Sequence, residues 1–421
     1  MNIVNKILLL SAVPCLLLAA GTQVQAEKAQ QVISFSVFGD HGVIPFYDTL
    51  DDDEEPFTTL NEYLEDQVND HLEKNRSMAG FSPTPATFEP AHGSWVPASG
   101  MYPVAWAQQE HCKRRACDFA IMLGDNMYPD GATLGTDGVD DRRRFREMLD
   151  QPYGKFGAGV PDFTIYSMLG NHDWRGSRES AVAQMEYLQQ HPNFYMPDFF
   201  YKVSPPGFEG EVEIFVIDTE MLLASSTVKQ EEYDLDGNEI DTGRLEHSPD
   251  HVKFKTAEER NMVAWLERSL KSSNARWKLV AAHHPLWSGG GSKFEKARTL
   301  RKLYMPILCR HADAYFNGDD HTMEAWADDC TGVEDALEPP LPLLTSGAAG
   351  KQRTIHPAFI KQQERNYPGL TKLFSKGQTW GFMHARIEGD ELTVQILTTP
   401  NDMSGRPIVE AEFSFPRRSV N

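Results

Sequence analysis

The strongest constraint on the fold of this chain is a repeated pattern in which a short apolar run is followed by a polar cluster. Such runs have the composition of buried β-strands, and segments with helical periodicity lie between them. Strands that alternate with helices along a chain are typical of a layered α/β fold. The runs are residues 32–38, 119–123, 164–169, 212–217, 278–282 and 314–316.

Polar clusters with metal-ligand chemistry stand at the ends of five of these runs. In layered α/β folds the loops at the carboxyl ends of the strands form the ligand crevice, so we expect the clusters to meet there. Together they supply enough carboxylate, amide and imidazole groups to hold two metal ions side by side. The clusters are residues 40–42, 124–128, 170–173, 280–283 and 318–321.

Patterns outside these clusters predict one helix start and one hairpin. Thr256 and Glu259 have the spacing of a capping box, so we expect a helix to begin there and to continue through Leu270. Residues 381–387 and 392–397 alternate apolar and polar side chains around a turn, which predicts a hairpin that closes a second sheet. We therefore predict a single sandwich-like domain over residues 27–421.

Two acidic insertions interrupt the order of elements. Residues 48–100 contain an acidic run at 51–55 and then many proline, serine and glycine residues, which is long for a connection. Because this insertion follows the first polar cluster, it is either a lid over the crevice or a solvated acidic loop. Residues 231–250 are also acidic, and we interpret them as a turn between two short strands.

Residues 1–26 have the pattern of a cleavable signal peptide. Lys6 precedes an apolar stretch over residues 7–20, and small residues lead to Ala26. The stretch is shorter than the roughly 20 residues that span a bilayer, and no second long apolar run follows in the sequence. We therefore expect an exported protein, periplasmic or secreted, with no membrane attachment after cleavage.

The net charge limits the binding partners of the protein, and its cysteines indicate the cellular compartment. The formal net charge of −21 argues against nucleic acid as a partner, and it means that bound metals must attract any anionic substrate locally. Four cysteines follow the signal segment, and an even number in an exported protein suggests disulfides. Three pairings are possible, and we favour Cys112 with Cys117 and Cys309 with Cys330.

Residues within the clusters indicate what kind of metal they bind. A carboxylate shared by two ions must lie at the centre of the site, and Asp125 is the natural candidate. The phenolate of Tyr128 is a hard, strongly donating ligand that suits ferric iron better than zinc or magnesium. The adjacent Asn171 and His172 can divide two roles, with the amide oxygen on a metal and the imidazole facing the substrate.

The order of the clusters resembles that of the calcineurin-like metallophosphoesterases. The motifs are Asp-x-Gly, Gly-Asp-x-x-Tyr, Gly-Asn-His-Asp, Val-x-x-His and Gly-x-x-His. With its tyrosine, the set is similar to that of the purple acid phosphatases, most closely their tartrate-resistant branch. The resemblance extends from about residue 32 to about residue 397. It implies a four-layer α/β/β/α sandwich that hydrolyses phosphate monoesters.

The resemblance also implies a binuclear centre of one ferric ion and one divalent ion, which is iron, manganese or zinc. A metal-bound hydroxide would attack phosphorus, and His172 would contact the phosphoryl group or protonate the leaving oxygen. The implied ferric ligands are Asp40, Asp125, Tyr128 and His321. The divalent ion would share Asp125 and would also bind Asn171 and His283.

This sequence departs from the family pattern in two places. The fifth family motif is Gly-His-x-His, but here Asp319 replaces the first histidine, so we expect Asp319 to bind the divalent ion. A carboxylate favours harder ions over zinc and adds negative charge beside the phosphate. Residues 287–293 lack a histidine that the animal enzymes place near the leaving group. His284 either substitutes for it as a catalytic residue or is a packed neighbour.

Three functional hypotheses follow. The first is an exported acid phosphatase that acts on small phosphomonoesters or phosphoproteins. The second is a phosphodiesterase or nucleotide hydrolase on the same fold, which would show weak monoester activity. The third is a metal-binding homologue that has lost efficient turnover because Asp319 replaces a histidine ligand.

Overall fold

Two seven-stranded sheets carry the polar clusters. The structure is a computed structural model, and it describes residues 31–48, 57–291 and 293–420. The predicted signal peptide and the acidic run at residues 51–55 lie outside the described residues.

Strands and helices are named in chain order over these residues. The strands are β1 (Val32–Phe38), β2 (Ala86–Glu89), β3 (Ser94–Pro97), β4 (Phe119–Met122), β5 (Ile165–Ser167), β6 (Phe194–Tyr195), β7 (Tyr201–Val203), β8 (Val212–Val216), β9 (Val228–Tyr233), β10 (Glu239–Glu246), β11 (Trp277–Ala281), β12 (Ala314–Asn317), β13 (Met323–Asp328), β14 (Leu341–Ser346), β15 (Leu370–Lys376), β16 (Trp380–Glu388), β17 (Glu391–Thr399) and β18 (Ile408–Pro416). The helices are α1 (Pro45–Asp48), α2 (Leu60–Glu73), α3 (Met101–Arg115), α4 (Asp141–Phe145), α5 (Gln151–Tyr153), α6 (Arg178–Gln190), α7 (Thr219–Ala224), α8 (Ala257–Arg260), α9 (Met262–Ser272), α10 (Phe294–His311) and α11 (Pro357–Asn366). A π-helical turn over Arg146–Asp150 joins α4 to α5.

The first sheet contains the first three predicted strands. Its order is β18-β17-β16-β1-β4-β5-β6. Strands β1, β4, β5 and β6 run parallel, with Phe35 opposite Phe119 in the register of β1 and β4. Because β1, β4 and β5 are parallel, the polar clusters that follow them lie at one edge of this sheet.

The second sheet contains the other three predicted strands. Its order is β15-β13-β14-β12-β11-β8-β7, and β8, β11, β12 and β14 run parallel. The clusters after β11 and β12 therefore also leave the sheet at a common edge.

The two sheets pack face to face. The ring of Phe35 in β1 meets the ring of Phe316 in β12 edge-on, with 5.9 Å between centroids, and both side chains are fully buried. Burial of each such phenylalanine stabilises the fold by roughly 1.5–3 kcal/mol. The Ser346 hydroxyl donates to the Val37 carbonyl across the same interface at 2.9 Å. The predicted mixed α/β sandwich is confirmed.

The predicted hairpin forms, but its assignment to a second sheet is wrong. Strands β16 and β17 pair with each other and belong to the first sheet, where β16 runs antiparallel to β1 with Val32 opposite Glu388. Alternation and a turn specify the hairpin locally. They carry no information about which distant strand the hairpin joins.

The predicted helix start at Thr256 is confirmed, but the helix is interrupted at Asn261 before it reaches Leu270. The capping box is present, because the Glu259 amide donates to Thr256 Oγ1 at 3.1 Å and the Thr256 amide donates to Glu259 Oε2 at 3.2 Å. However, α8 ends at Arg260, and a new helix, α9, begins at Met262. Leu266 and Leu270 are buried on α9 as the periodicity predicts.

The described part of the 48–100 insertion is folded. It contains α2 and a hairpin of β2 and β3, and buried Tyr63 donates its hydroxyl hydrogen bond to the Thr84 carbonyl at 3.0 Å. A solvated loop is therefore the wrong interpretation for residues 57–100. The second insertion forms the antiparallel pair β9 and β10, which confirms the predicted turn between two strands.

Both predicted disulfides are present, between Cys112 and Cys117 and between Cys309 and Cys330. Each links two ends of a local segment, the first at the end of α3 and the second between α10 and the loop after β13. Among the described residues, no helix is long and apolar enough to cross a membrane.

Candidate metal centre

The polar clusters of both sheets converge at one place. Asp40, Asp125 and Asn171 follow strands of the first sheet, whereas His283, Asp319 and His321 follow strands of the second. A hydrogen bond of 2.9 Å from the Asp319 amide to Asp40 Oδ2 joins the two halves. The candidate centre therefore lies where the two sheets meet.

Strained backbone marks three of these positions. Asp40, Asp125 and Asp319 adopt φ angles of 59°, 51° and 65°, in the left-handed region that few residues other than glycine occupy. Such conformations cost of order 1–3 kcal/mol and cluster at functional sites. A Cβ atom at Gly170 would collide with Asp125, and one at Gly318 would collide with Asp40. The neighbouring glycines thus let the backbone approach the carboxylates closely.

The first group of candidate ligands surrounds the hydroxyl of Tyr128. This oxygen lies 2.7 Å from Asp125 Oδ2, 3.2 Å from Asp40 Oδ1 and 3.1 Å from His321 Nε2. The ligand atoms of Asp40, Asp125 and His321 all lie within 4.8 Å of one another. All four side chains are buried, so one cation could contact all of them.

The second group surrounds Nε2 of His283. This atom lies 3.4 Å from Asp125 Oδ1, 3.2 Å from Asn171 Oδ1 and 3.7 Å from Asp319 Oδ1. Asp125 therefore faces both groups, with Oδ2 toward the first and Oδ1 toward the second. Its role as a carboxylate shared by two ions stays a prediction.

The second group has the chemistry of a cation site. His283 Nδ1 lies 2.8 Å from the Leu123 carbonyl, which can only accept, so this nitrogen keeps a proton and Nε2 is the atom that can bind either a second proton or a cation. The side-chain amide of Asn171 lies 3.2 Å from His283 Nε2, and Asp319 Oδ1 lies 3.7 Å from the same nitrogen. An imidazole, an amide and a carboxylate that converge in this way fit a bound cation.

Electrostatics also favour bound cations at this place. Burial raises the pKa of Asp40 well above its ordinary value, and Asp125 and Asp319 raise it further. Burial alone would lower the pKa of His283, but Asp125, Asp40 and Asp319 raise it to about 9. Burial and the carboxylate of Asp125 likewise hold the pKa of Tyr128 well above its usual range. Buried carboxylates are stabilised by nearby positive charge, so this place favours bound cations.

Comparisons with known proteins identify the family. Residues 33–323 match the calcineurin-like phosphoesterase family. This chain belongs to that family. Purple acid phosphatase 17 of Arabidopsis thaliana is 31% identical over 64% of this chain and 68% of its own length. Tartrate-resistant acid phosphatase type 5 of Mus musculus is 25% identical over 80% of this chain and 93% of its own length.

Solved structures show the same fold. The purple acid phosphatase PPD1 from yellow lupin (Lupinus luteus) seeds superposes with a TM-score of 0.51 at 14% identity, covering 92% of this chain and 54% of its own. GAP50, the anchor in the inner membrane complex of Plasmodium, superposes with a TM-score of 0.55 at 13% identity, covering 93% of this chain and 90% of its own. The calcineurin-like phosphoesterase described here is thus a hydrolase of phosphate esters related to the purple acid phosphatases.

His172 lies beside the first ligand group of this phosphoesterase. Its ring packs 4.2 Å from the Tyr128 ring, and Nδ1 lies 2.5 Å from the Pro129 carbonyl, which fixes the proton on Nδ1. Its amide donates to Asp125 Oδ1 at 2.9 Å. Burial lowers the pKa of His172 to about 3, against the opposing effect of Asp125. His172 is therefore a neutral, partly exposed imidazole held in one orientation.

His284, the other catalytic candidate, is fully buried. Its Nδ1 lies 2.8 Å from Thr219 Oγ1, and its Nε2 faces Glu220 Oε2 at 3.4 Å and Asp319 Oδ2 at 3.9 Å. Its ligand atom also lies within 4.8 Å of those of His283 and Asp319. The geometry places His284 behind Asp319, where it can support that carboxylate.

Asp173 and His41, which adjoin candidate ligands in the sequence, have different surroundings. Asp173 accepts hydrogen bonds from the amides of Gly170 at 2.8 Å and Asn126 at 3.0 Å, so it ties two ligand loops together. His41, in contrast, is a neutral packed ring that lies 5.0 Å from the ring of Tyr153, and burial lowers its pKa to about 3.

Asp320 and Trp174, which lie in or next to the polar clusters, make hydrogen bonds to other parts of the chain. Arg353 Nη1 donates to Asp320 Oδ1 at 3.2 Å. The Trp174 ring is buried, and its Nε1 donates to Asp218 Oδ2 at 2.9 Å. Neither residue lines the ligand groups.

Sequence reasoning missed the basic residues around the centre. Lys293 Nζ lies 2.7 Å from Asp319 Oδ1, and its side chain is 16% exposed. Lys351 Nζ lies 4.5 Å from the centre of the Tyr128 ring. Arg353 is near enough that its charge and that of Lys351 help burial to lower the pKa of His321. Lysine and arginine are not metal-ligand types, and these residues lie in loops, so no motif identified them.

Proposed function

We propose that this chain is an exported, binuclear acid phosphatase that hydrolyses phosphate monoesters. The observation that carries the proposal is the pair of converging ligand groups that share the carboxylate of Asp125. A carboxylate with one oxygen in each group is what two adjacent cations require. The relation to acid phosphatases supports the reaction, and the oxygen-rich donor set supports hard metal ions.

The residues present fit one ferric and one divalent ion. Asp40, Tyr128 and His321 would hold the ferric ion, and Asn171, His283 and Asp319 would hold a divalent iron, manganese or zinc ion, with Asp125 shared. When bound, the two ions would neutralise the charge on the phosphoryl oxygens and lower the pKa of a coordinated water. A tyrosinate in the first group is the reason to assign iron there.

A residue of the chain itself, His172, would orient the phosphate ester. With its proton fixed on Nδ1 by Pro129, His172 presents Nε2 to the ester and can accept a hydrogen bond from a monoanionic phosphoryl group. Phosphate monoesters have a second pKa of about 6, so the monoanion is abundant in the acid range.

Asp319 is the residue that favours a second candidate function. Its ion pair with Lys293 uses the carboxylate oxygen that faces His283, so Lys293 and a divalent ion compete for the same atom. If Asp319 Oδ1 stays bound to Lys293, the divalent ion lacks this ligand and the chain is a metal-binding homologue with weak turnover. If Asp319 Oδ1 binds the divalent ion instead, the nearby charge of Lys293 only offsets the negative charge that Asp319 adds.

Export rests on the pattern of residues 1–26 and on the two disulfides, which persist in oxidising compartments. Small phosphomonoesters and phosphoproteins are the proposed substrates. The strongly negative net charge makes nucleic acid an unsuitable one.

The deciding experiment combines three measurements on one purified sample: metal content, visible spectrum and hydrolysis of an aryl phosphate across pH. We expect about one iron for each chain, a purple absorption band and turnover in the acid range. A colourless protein that iron plus manganese or zinc cannot activate would instead establish the weak homologue. Faster cleavage of an aryl phosphodiester than of the monoester would favour the phosphodiesterase.

A further inference from the structure

A cavity of about 180 Å³ opens beside His321, between the folded insertion and the loop that follows β14. One wall consists of His71, Lys74 and Arg76 at the end of α2, and the other includes Lys351 and Arg353. A cavity needs only about 10–15 Å³ of such volume to hold one water molecule. This cavity therefore admits a group of several non-hydrogen atoms next to a proposed ferric ligand.

The charge of the cavity is opposite to that of the chain. Among the described residues, four lysine and arginine side chains line it, against the single carboxylate of Asp70, although the chain as a whole carries a formal charge of −21. Asp70 pairs with Lys74 at 2.5 Å, and both side chains are about half exposed, at 51% and 48%. Exposed pairs of this kind are weak, so Lys74 can exchange Asp70 for a bound anion.

Arg76 is the most unusual of the basic residues. It is only 4% exposed, and its guanidinium donates to the Gly290 carbonyl at 2.7 Å, to the Tyr233 hydroxyl at 3.3 Å and to the Thr354 hydroxyl. All three partners are neutral. Within residues 31–48, 57–291 and 293–420, Arg76 makes no ion pair and its Nε has no hydrogen-bond partner. A buried charge without a counterion favours binding of an anion nearby.

The remaining cations are held in place at the border with the metal centre. Arg353 Nη1 donates to Asp320 Oδ1 at 3.2 Å and to the Asp319 carbonyl at 3.4 Å. Lys351 lies over the Tyr128 ring. These contacts connect the cavity to the loop that carries Asp319 and to the proposed ferric site, so a ligand in the cavity would lie within reach of an ester bound there.

We propose that this cavity is a subsite for a second anionic group, so that the enzyme prefers phosphomonoesters that carry another phosphate. The reacting phosphate would occupy the metal centre, and the second phosphate would lie among Lys74, Arg76, Lys351 and Arg353. Arginine and lysine provide the charge-assisted hydrogen bonds that phosphate oxygens accept. This inference rests on the proposed phosphatase function and adds to it a substrate class and a role for the insertion.

The test compares two substrates that share a flexible three-carbon chain, 1,3-propanediol bisphosphate and 1,3-propanediol monophosphate. In the wild-type protein we expect kcat/KM to be at least tenfold higher for the bisphosphate. The double variant Lys74→Gln/Lys351→Gln should lose most of this preference. Lys113→Gln, which removes an exposed lysine from the last turn of α3, should keep it.

Equal kcat/KM values for the two substrates in the wild-type protein would overturn the proposal, and so would a preference that survives in the double variant. If the protein hydrolyses neither substrate, the phosphatase function has failed, and calorimetry then tests the subsite alone. Propane-1,3-bisphosphonate should bind at least tenfold more tightly than propylphosphonate, and the double variant should remove the difference. Equal binding of the two phosphonates by the wild-type protein would refute the subsite without any appeal to turnover.

Discussion

At the scale of single residues, Asp319 and Lys293 act as a unit. They form an ion pair of 2.7 Å in which Asp319 is 1% exposed and Lys293 is 16% exposed. Removing one member of a buried pair leaves an uncompensated charge and typically costs about 3–5 kcal/mol. Asp319→His alone should therefore leave Lys293 to repel the divalent ion, and we expect at least a tenfold loss of divalent metal affinity and of monoester turnover.

The double variant Asp319→His/Lys293→Met is the matched control, because it also removes the positive charge of Lys293 that the single variant leaves unpaired. It should recover metal binding and turnover relative to the single variant, as measured by metal titration and aryl phosphate kinetics. A single variant that is as active as the double variant would show that Lys293 does not act on the centre.

Tyr128 provides a spectroscopic test of the iron assignment. Its hydroxyl contacts Asp125, Asp40 and His321, so Tyr128→Phe removes one ligand and leaves the other three. We expect the variant to lose the visible band and to retain less iron while it keeps its far-UV circular dichroism. Tyr187→Phe removes a different hydroxyl, which bonds to Asp150, and should keep the band. An unchanged spectrum in Tyr128→Phe would exclude a ferric tyrosinate.

The sequence predicts ligands better than it predicts their surroundings. Asp40, Asp125, Asn171 and His283 each follow an apolar run, so strand ends and metal-ligand side chains coincide in one readable pattern. Lys293 and Lys351 lie in loops without periodicity, where a lysine has the appearance of an ordinary solvated side chain. Their positions depend on how the two sheets pack, which no local pattern records.

At the scale of elements, short-range features were predicted and long-range ones were not. The bounds of β1 match the predicted run, and the β16–β17 hairpin and the cap at Thr256 are present. The choice of β1 as the partner of β16 joins residues more than 340 positions apart, as in the pair of Phe35 and Ala385.

The cap at Thr256 supports a prediction about stability. Its Oγ1 accepts from the Glu259 amide at 3.1 Å, and Glu259 in turn pairs with Arg178. Thr256→Ala should lower the free energy of unfolding by about 1 kcal/mol, since an unsatisfied amide remains at the start of α8. Urea unfolding measures this change. Thr256→Ser keeps the hydroxyl and should lose much less, and equal losses in the two variants would mean that the methyl group matters instead.

At the scale of the whole molecule, buried histidines limit stability in acid. His111 on α3 packs 4.8 Å from the ring of His384, and its Nε2 lies 3.1 Å from Gln395 Oε1. Burial lowers the pKa of His111 to about 4, and the charge of His384 adds to this effect. An unfolded histidine has a pKa of about 6.5. Below pH 6.5 the unfolded chain therefore binds protons that the folded chain excludes.

The sign of the pH dependence follows from this difference. Because the unfolded state binds more protons between pH 6.5 and about 4, the free energy of unfolding should fall as the pH falls through this window. His111→Gln should flatten part of this fall in urea titrations of metal-free protein, whereas His247→Gln, at an exposed position, should not. Parallel pH profiles for the His111 variant and the wild-type protein would contradict the prediction.

The meeting of two sheets at the metal centre has a consequence for how the enzyme is made. Asp40 and Asp319 lie 279 positions apart, and β1 finds its antiparallel neighbour only in β16. A growing or threaded chain thus presents scattered single ligands and no pocket. If the centre binds metals as proposed, the ion supply of the compartment in which folding ends would decide which metals it takes.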